Sequence, residues 1–137
     1  MKLAKLMNSS EKMRKMNARF VKVVAFKKGY NRLGQATAIA KTYTPLEFNS
    51  AKTVVRSRDL NRYVSSIVFL DKKLNVKVSC SCPDFLFRWE YPLYANGAAD
   101  IVYGNGDPAN TTNPGNVPGM CKHLIALRVL IKNSENV

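Results

Sequence analysis

All three cysteines and the single histidine of this 137-residue chain fall in two tripeptides, Cys80-Ser81-Cys82 and Cys121-Lys122-His123, with 38 residues between them. No other arrangement in the sequence restricts the fold as tightly. Three thiolates and one imidazole make a complete shell for a four-coordinate ion that prefers sulfur and nitrogen, and zinc is such an ion. The pattern predicts one Zn2+ held by Cys80, Cys82, Cys121 and His123. A structural zinc site contributes about 10–16 kcal/mol of apparent binding energy at neutral pH. Closing a flexible loop of this length costs on the order of 3 kcal/mol, so the ion decides.

Other uses of the four residues fit less well. A Cys80–Cys82 disulfide would be strained and would leave Cys121 odd. A Cys121–His123 catalytic dyad fails because residues two apart on a helix do not face each other. Cys3His ligation of an iron–sulfur cluster is chemically allowed, but two one-residue spacings on separate elements suit a single ion. With four protein donors no coordination position stays open for water or substrate, so the expected site is structural. Paired carboxylates beside a histidine and a phosphate-binding loop are both missing, and the chain is expected not to be an enzyme.

The flanking patterns predict an α+β fold: a small antiparallel sheet with an N-terminal basic helix or arm and a C-terminal helix. Leu3, Leu6, Met13, Met16 and Phe20 recur at helical spacing over residues 1–19. Asn8 and Glu11 resemble a capping box, placing the main helix start near Ser9. Residues 19–28, apolar on both faces, read as a buried strand, and residues 36–43 and 53–58 as two more. Residues 62–70 and 74–81 alternate as a hairpin around Asp71-Lys72-Lys73, which sets Cys80 at a strand end. Cys80 and Cys82 then point the same way. Asp84 is a candidate N-cap for a short helix through Phe85, Leu86 and Trp89. Five of seven glycines and four of six prolines fall in residues 92–119, an irregular flap in which Asn105-Gly106 suits a hairpin turn, with residues 100–103 as one arm. Leu124, Leu127, Leu130 and Ile131 line the face of a last helix that begins at the second ligand pair. The organisation reads as 1–32 basic arm and first strand, 33–61 extended β region, 62–132 zinc module, and 133–137 tail.

Charge is uneven. Of the net +13, the first 32 residues hold +9, with ten Lys or Arg against Glu11 alone. That balance calls for a polyanionic partner, against the blander explanation of a solvated face. The candidate contacts are Lys12, Arg14, Lys15, Arg19, Lys22, Lys27, Lys28 and Arg32, extended by Arg56, Arg58 and Arg62. The arm is short of acids and is expected to order on its partner. Phe85, Phe87, Trp89, Tyr91 and Tyr94 beside Arg88 suit either base stacking or a small core, and a module this size needs the core. No apolar run spans a membrane and no secretory signal opens the chain. An odd cysteine count then points to a reducing compartment. Asn110-Thr111-Thr112 spells a glycosylation sequon, which has meaning only in an exported chain.

Cys80-x-Cys82 and Cys121-x-His123, placed as strand then helix, resemble the SWIM zinc finger over residues 62–132. That resemblance implies a ββα fold clasping one zinc through those four residues, with DNA binding and protein contact as the roles proposed for such modules. The insertion between the ligand pairs is longer than usual for the family. Cys82-Pro83-Asp84-Phe85, Arg88-Trp89-Glu90-Tyr91, Asn113-Pro114 and the stretch Pro118 to Leu124 are also similar to small SWIM-bearing proteins of tailed bacteriophages. The expected function is a zinc-binding interaction protein, a minor structural or assembly component of a virion contacting other virion or assembly proteins. The alternative is a soluble DNA- or RNA-binding accessory protein. Virion or host cytoplasm is the expected location, and neither a membrane nor a small-molecule substrate is expected as partner.

Overall fold

The computed structural model describes residues 1–109 and 112–135. Asn110 and Thr111 of the sequon and the last two residues of the tail lie outside them. The fold is α+β, as expected. Helices α1 (Leu3–Ser9) and α2 (Lys12–Asn17), with one 3-10 turn (Ala18–Phe20), lead into strands β1 (Lys22–Tyr30) and β2 (Ala36–Tyr43). A separate short hairpin, β3 (Leu46–Phe48) with β4 (Val54–Arg56), follows. Strands β5 (Tyr63–Phe69) and β6 (Val76–Cys80) complete a four-stranded antiparallel sheet in the order β1-β2-β5-β6. After a π-helical turn (Phe85–Trp89) come α3 (Glu90–Ala95) and α4 (Lys122–Glu135). Among the described residues no helix is long and apolar enough to cross a membrane.

Alternation places the core. Ala38, Ala40 and Thr42 of β2, Ser65 and Ile67 of β5, and Val76, Val78 and Cys80 of β6 are buried on one face. Against that face lie Leu124, Leu127 and Ile131 of α4, at the spacing of one helix side. Each such side chain, fully buried, stabilises the fold by about 1.5–3 kcal/mol. Phe85 and Trp89 join this core at 0 % and 3 % exposure, which is the packing role their spacing suggested. Gly119 makes room for Trp89: a Cβ there would sit 2.8 Å from the indole ring.

Several expectations need correction. Strand β1 is not buried but forms the sheet edge, with Val23 and Val24 46 % and 41 % exposed. A bulge between Val23 and Ala25 and the lysines Lys22, Lys27 and Lys28 are features by which edges resist further pairing. Apolar residues on both sides of a strand do not distinguish an edge from a centre. The N-terminal segment is two short helices, because Ser10 interrupts it: Ser10 Oγ donates to the Leu6 carbonyl at 2.7 Å and accepts the Met120 N–H at 3.1 Å. Asn8 therefore caps nothing and lies inside α1. Asp84 has helical φ and ψ and makes no cap bond; Arg14 and Trp89 claim its carboxylate. Residues 100–103 form no strand.

The basic arm packs on the rest of the chain. The Val76 N–H donates to the Met1 carbonyl at 2.9 Å and the Leu3 N–H to the Leu74 carbonyl at 3.1 Å, so the arm covers the outer edge of β6. Leu3 and Leu6 are buried. Arg14 binds Asp84 through both carboxylate oxygens at 2.7 and 2.6 Å, and Glu11 bonds Arg14 and, at 2.8 Å, Arg88. Both guanidinium groups lie over the Trp89 ring, 5.1 and 5.3 Å from its centroid.

The 92–119 segment is fastened as well. Its anchor is Glu90, 2 % exposed, whose carboxylate accepts the N–H groups of Val102 (3.4 Å), Tyr103 (3.1 Å) and Gly104 (2.8 Å). A Cβ on Gly104 would stand 2.6 Å from Glu90 Oε1, so only glycine brings its N–H this close. Replacing Glu90 by Gln sets an NH2 group against backbone donors. We expect Glu90→Gln to cost about 1–3 kcal/mol in urea unfolding and to speed amide exchange at residues 102–104. An unchanged midpoint and unchanged exchange would contradict the anchoring role.

Candidate metal centre

Cys80 ends β6, and the extended chain carries Cys82 to the same side two residues on. Ser81 between them faces away and prolongs the pairing with β5. Its N–H donates to the Val64 carbonyl at 3.0 Å and its Oγ accepts the Val64 N–H at 2.9 Å. Pro83 cannot extend the ladder, so the chain turns there. From the other side, Cys121 stands directly before α4, its carbonyl taking the first helical bond from the Ile125 N–H at 3.1 Å. His123 lies in the first turn.

The strand end and the helix start thus meet in one buried site, with Cys80 and Cys121 at 0 %, Cys82 at 2 % and His123 at 4 % exposure. One ligand atom from each of the four lies within 4.8 Å of every other. The sequence-level ligand set is the set the fold brings together. A cavity of about 340 Å³ reaches Cys82, Cys121 and His123 from the surface, between Arg14, Asp59 and Tyr63, and offers an ion a path to the donors.

The three thiols perturb one another. Hydrogen bonds from the Cys121 and Cys80 thiols hold Cys82 far below its ordinary thiol pKa. Burial pushes Cys121 well above it. Cys80 is also raised: its bond with Cys121 favours the thiolate, but the bond with Cys82 and burial outweigh it. Three thiolates in a dry pocket repel one another, so each opposes the ionisation of its neighbours. The Phe85 N–H, 3.4 Å from Cys82 Sγ, favours charge on that sulfur. Arg14 nearby is held above its ordinary pKa, first by its hydrogen bond to Asp84, against the cost of burial. Soft sulfur and imidazole donors of this kind suit a thiophilic divalent ion rather than magnesium or calcium.

The imidazole is oriented by a residue that the sequence pattern does not reveal. His123 Nε2 lies 3.4 Å from Oγ1 of Thr44, itself 2 % exposed, while Nδ1 is buried with no hydrogen-bond partner among the described residues. A metal bound at Nδ1 would leave Nε2–H to donate to Thr44. Tyr63 packs against the ring at 5.4 Å between centroids. Thr44 precedes His123 by 79 residues, and no local spacing marks it.

The basic candidates are spread over several elements. Arg14 is engaged internally, as described, and Lys28 Nζ donates to Ser134 Oγ of α4 at 3.2 Å. Lys12 and Lys15 lie on α2, Arg19 on the 3-10 turn, Arg32 in the β1–β2 turn, and Arg56 and Arg58 on and after β4. Lys22 and Lys27 belong to β1, and Arg62 directly precedes β5.

Removing the Thr44 hydroxyl frees the imidazole to rotate. We expect Thr44→Val to weaken metal affinity about 10-fold or more, read by competition with a chromophoric chelator, and Thr44→Ser to restore it. Equal affinity for all three forms would remove Thr44 from the site. No protein-family model, curated protein or solved structure matches the chain, so the metal centre stands on its donor geometry alone.

Proposed function

We propose that this chain is a non-catalytic interaction protein stapled by one Zn2+, and that it serves as a minor structural or assembly component of a tailed-phage particle. The observation that carries the first half is the closed donor set: three sulfurs and one imidazole nitrogen, all buried and within 4.8 Å of one another. Tetrahedral zinc with Zn–S bonds of about 2.3 Å needs sulfurs roughly 3.8 Å apart, well inside that span. The orphaned Nδ1 of His123 supplies the fourth bond. Four protein donors leave the ion nowhere to take a substrate, so its role is to hold β6 to α4. The Cys-x-Cys…Cys-x-His order on strand and helix supports a SWIM-like reading of this module. The phage setting is supported by the motif string around the ligands.

Elemental analysis of purified protein should find one zinc per chain. Cys121→Ser should lose it and melt the C-terminal half, seen as lost amide protection in α4 and residues 98–120. A variant that keeps zinc and stability would refute the ligand assignment. Mass spectrometry of purified particles tests the second half: the chain should copurify at fixed copy number, and its absence there sinks the assembly role while leaving the zinc site intact.

A further inference from the structure

The face of the sheet turned away from α4 is open across β1, β2 and β5. Ile39, Lys41 and Val64 at its centre are exposed. Strand register decides what it presents. Opposite Tyr43 stands Lys22; opposite Lys41, Ala25 and Val64; opposite Ile39, Lys27 and Ser66; and opposite Val68, Lys77. Alternation puts these residues on the outer side. The inner side is fixed independently by buried Ala38, Ala40 and Ile67 and by Lys28, which reaches α4. Arg62, just before β5, completes the first row, its guanidinium 5.9 Å above the Tyr43 ring. Lys22, Lys27, Lys41, Arg62 and Lys77 thus distribute positive charge over all four rows. The acid paired with this face is Asp100, 2.9 Å from Lys77 at the β6 side.

We propose that this open face binds single-stranded nucleic acid, with the five cations on phosphates and the Tyr43–Arg62 pair as a stacking platform for a base. The inference rests on reading the chain as a non-catalytic interaction protein, and not on the particle setting. Positive charge tracked by an aromatic platform is how sequence-tolerant single-strand surfaces work. Duplex DNA fits poorly: four strands about 4.8 Å apart span roughly 14 Å between the outer axes, against a major groove about 12 Å wide. An acidic polypeptide would satisfy the lysines but would leave Tyr43 without a role.

The test uses the full zinc-loaded chain and a labelled oligothymidine of about 20 nucleotides, followed by fluorescence anisotropy, with polyglutamate and the matching duplex as competitors. With five phosphate contacts and a slope of about 0.7 per contact, affinity should fall roughly 100-fold for a fourfold rise in salt. Lys27→Ala with Lys41→Ala should lower affinity and reduce that slope by about 1.4. Tyr43→Ala should weaken binding about 10-fold with the slope unchanged. Lys12→Ala with Lys15→Ala, on the arm, should bind as the parent does. No binding at low salt, equal competition by polyglutamate or duplex, or arm variants as damaging as sheet variants would each overturn the proposal. Zinc content and circular dichroism on the same samples separate the two readings: a folded, zinc-loaded chain that ignores the oligonucleotide refutes this surface alone.

Discussion

Everything in this fold is arranged around three sulfurs that cannot all be charged unless a cation joins them. Burial makes each thiolate expensive, and the three thiols lie close enough that the protons of Cys80 and Cys121 favour charge on Cys82. Loading the site with a divalent ion exchanges those protons for metal, so affinity and folding are coupled to pH and to each other. The coupling spans the chain. Cys80 ends the β5–β6 hairpin with Cys82 two residues on, Cys121 and His123 stand at the start of α4, and the sheet's inner face is covered by α4.

Around that clasp, polar contacts from distant segments secure what hydrophobic packing alone leaves loose. Thr44 orients the imidazole from the β2–β3 connection. Asp84, two residues after a ligand, receives Arg14 from α2 and the indole N–H of Trp89. The Ser10 hydroxyl takes the Met120 N–H beside Cys121. Each reaches one end of the ligand set, so loss of metal should be felt in the N-terminal helices as well as in α4. The long segment between the ligand pairs is no loose flap: Glu90 holds three successive N–H groups, and Ala98 accepts the Val78 N–H at 2.8 Å on the edge of β6.

How much of this was legible depended on whether the signal was local. The ligand quartet was readable because two tight tripeptides used every Cys and His. Strands β2, β5 and β6 and helix α4 followed from period, since one face of each is buried. β1 misled because both its faces carry valine or phenylalanine, and edge position is a property of the sheet's order, not of the strand's own residues. The helix break at Ser10 was hidden by a regular apolar stripe; a hydroxyl bonded to Leu6 and Met120 is what competes with helix continuation there. Asp84 looked like a cap by type and place, yet a bidentate arginine 70 residues away is a stronger partner than a helix N–H. Thr44 carries no sequence signature at all.

The same distinction redistributes the charge. Counting charge in sequence made the first 32 residues look like one basic arm, but the fold divides them. Arg14 is committed to Asp84 and Glu11, Lys28 turns toward α4, and Lys22 and Lys27 join Lys41, Arg62 and Lys77 on the open sheet face. A cation on a paired strand differs from one on a tether because hydrogen-bonded neighbours fix its spacing before any partner arrives, and that ordering cost is already met. The clasp contributes to this from the opposite side. A metal bound by the quartet would pin β6 to α4 and hold the inner face of the sheet shut, and a sheet that is rigid on one face can present a fixed array of charges on the other.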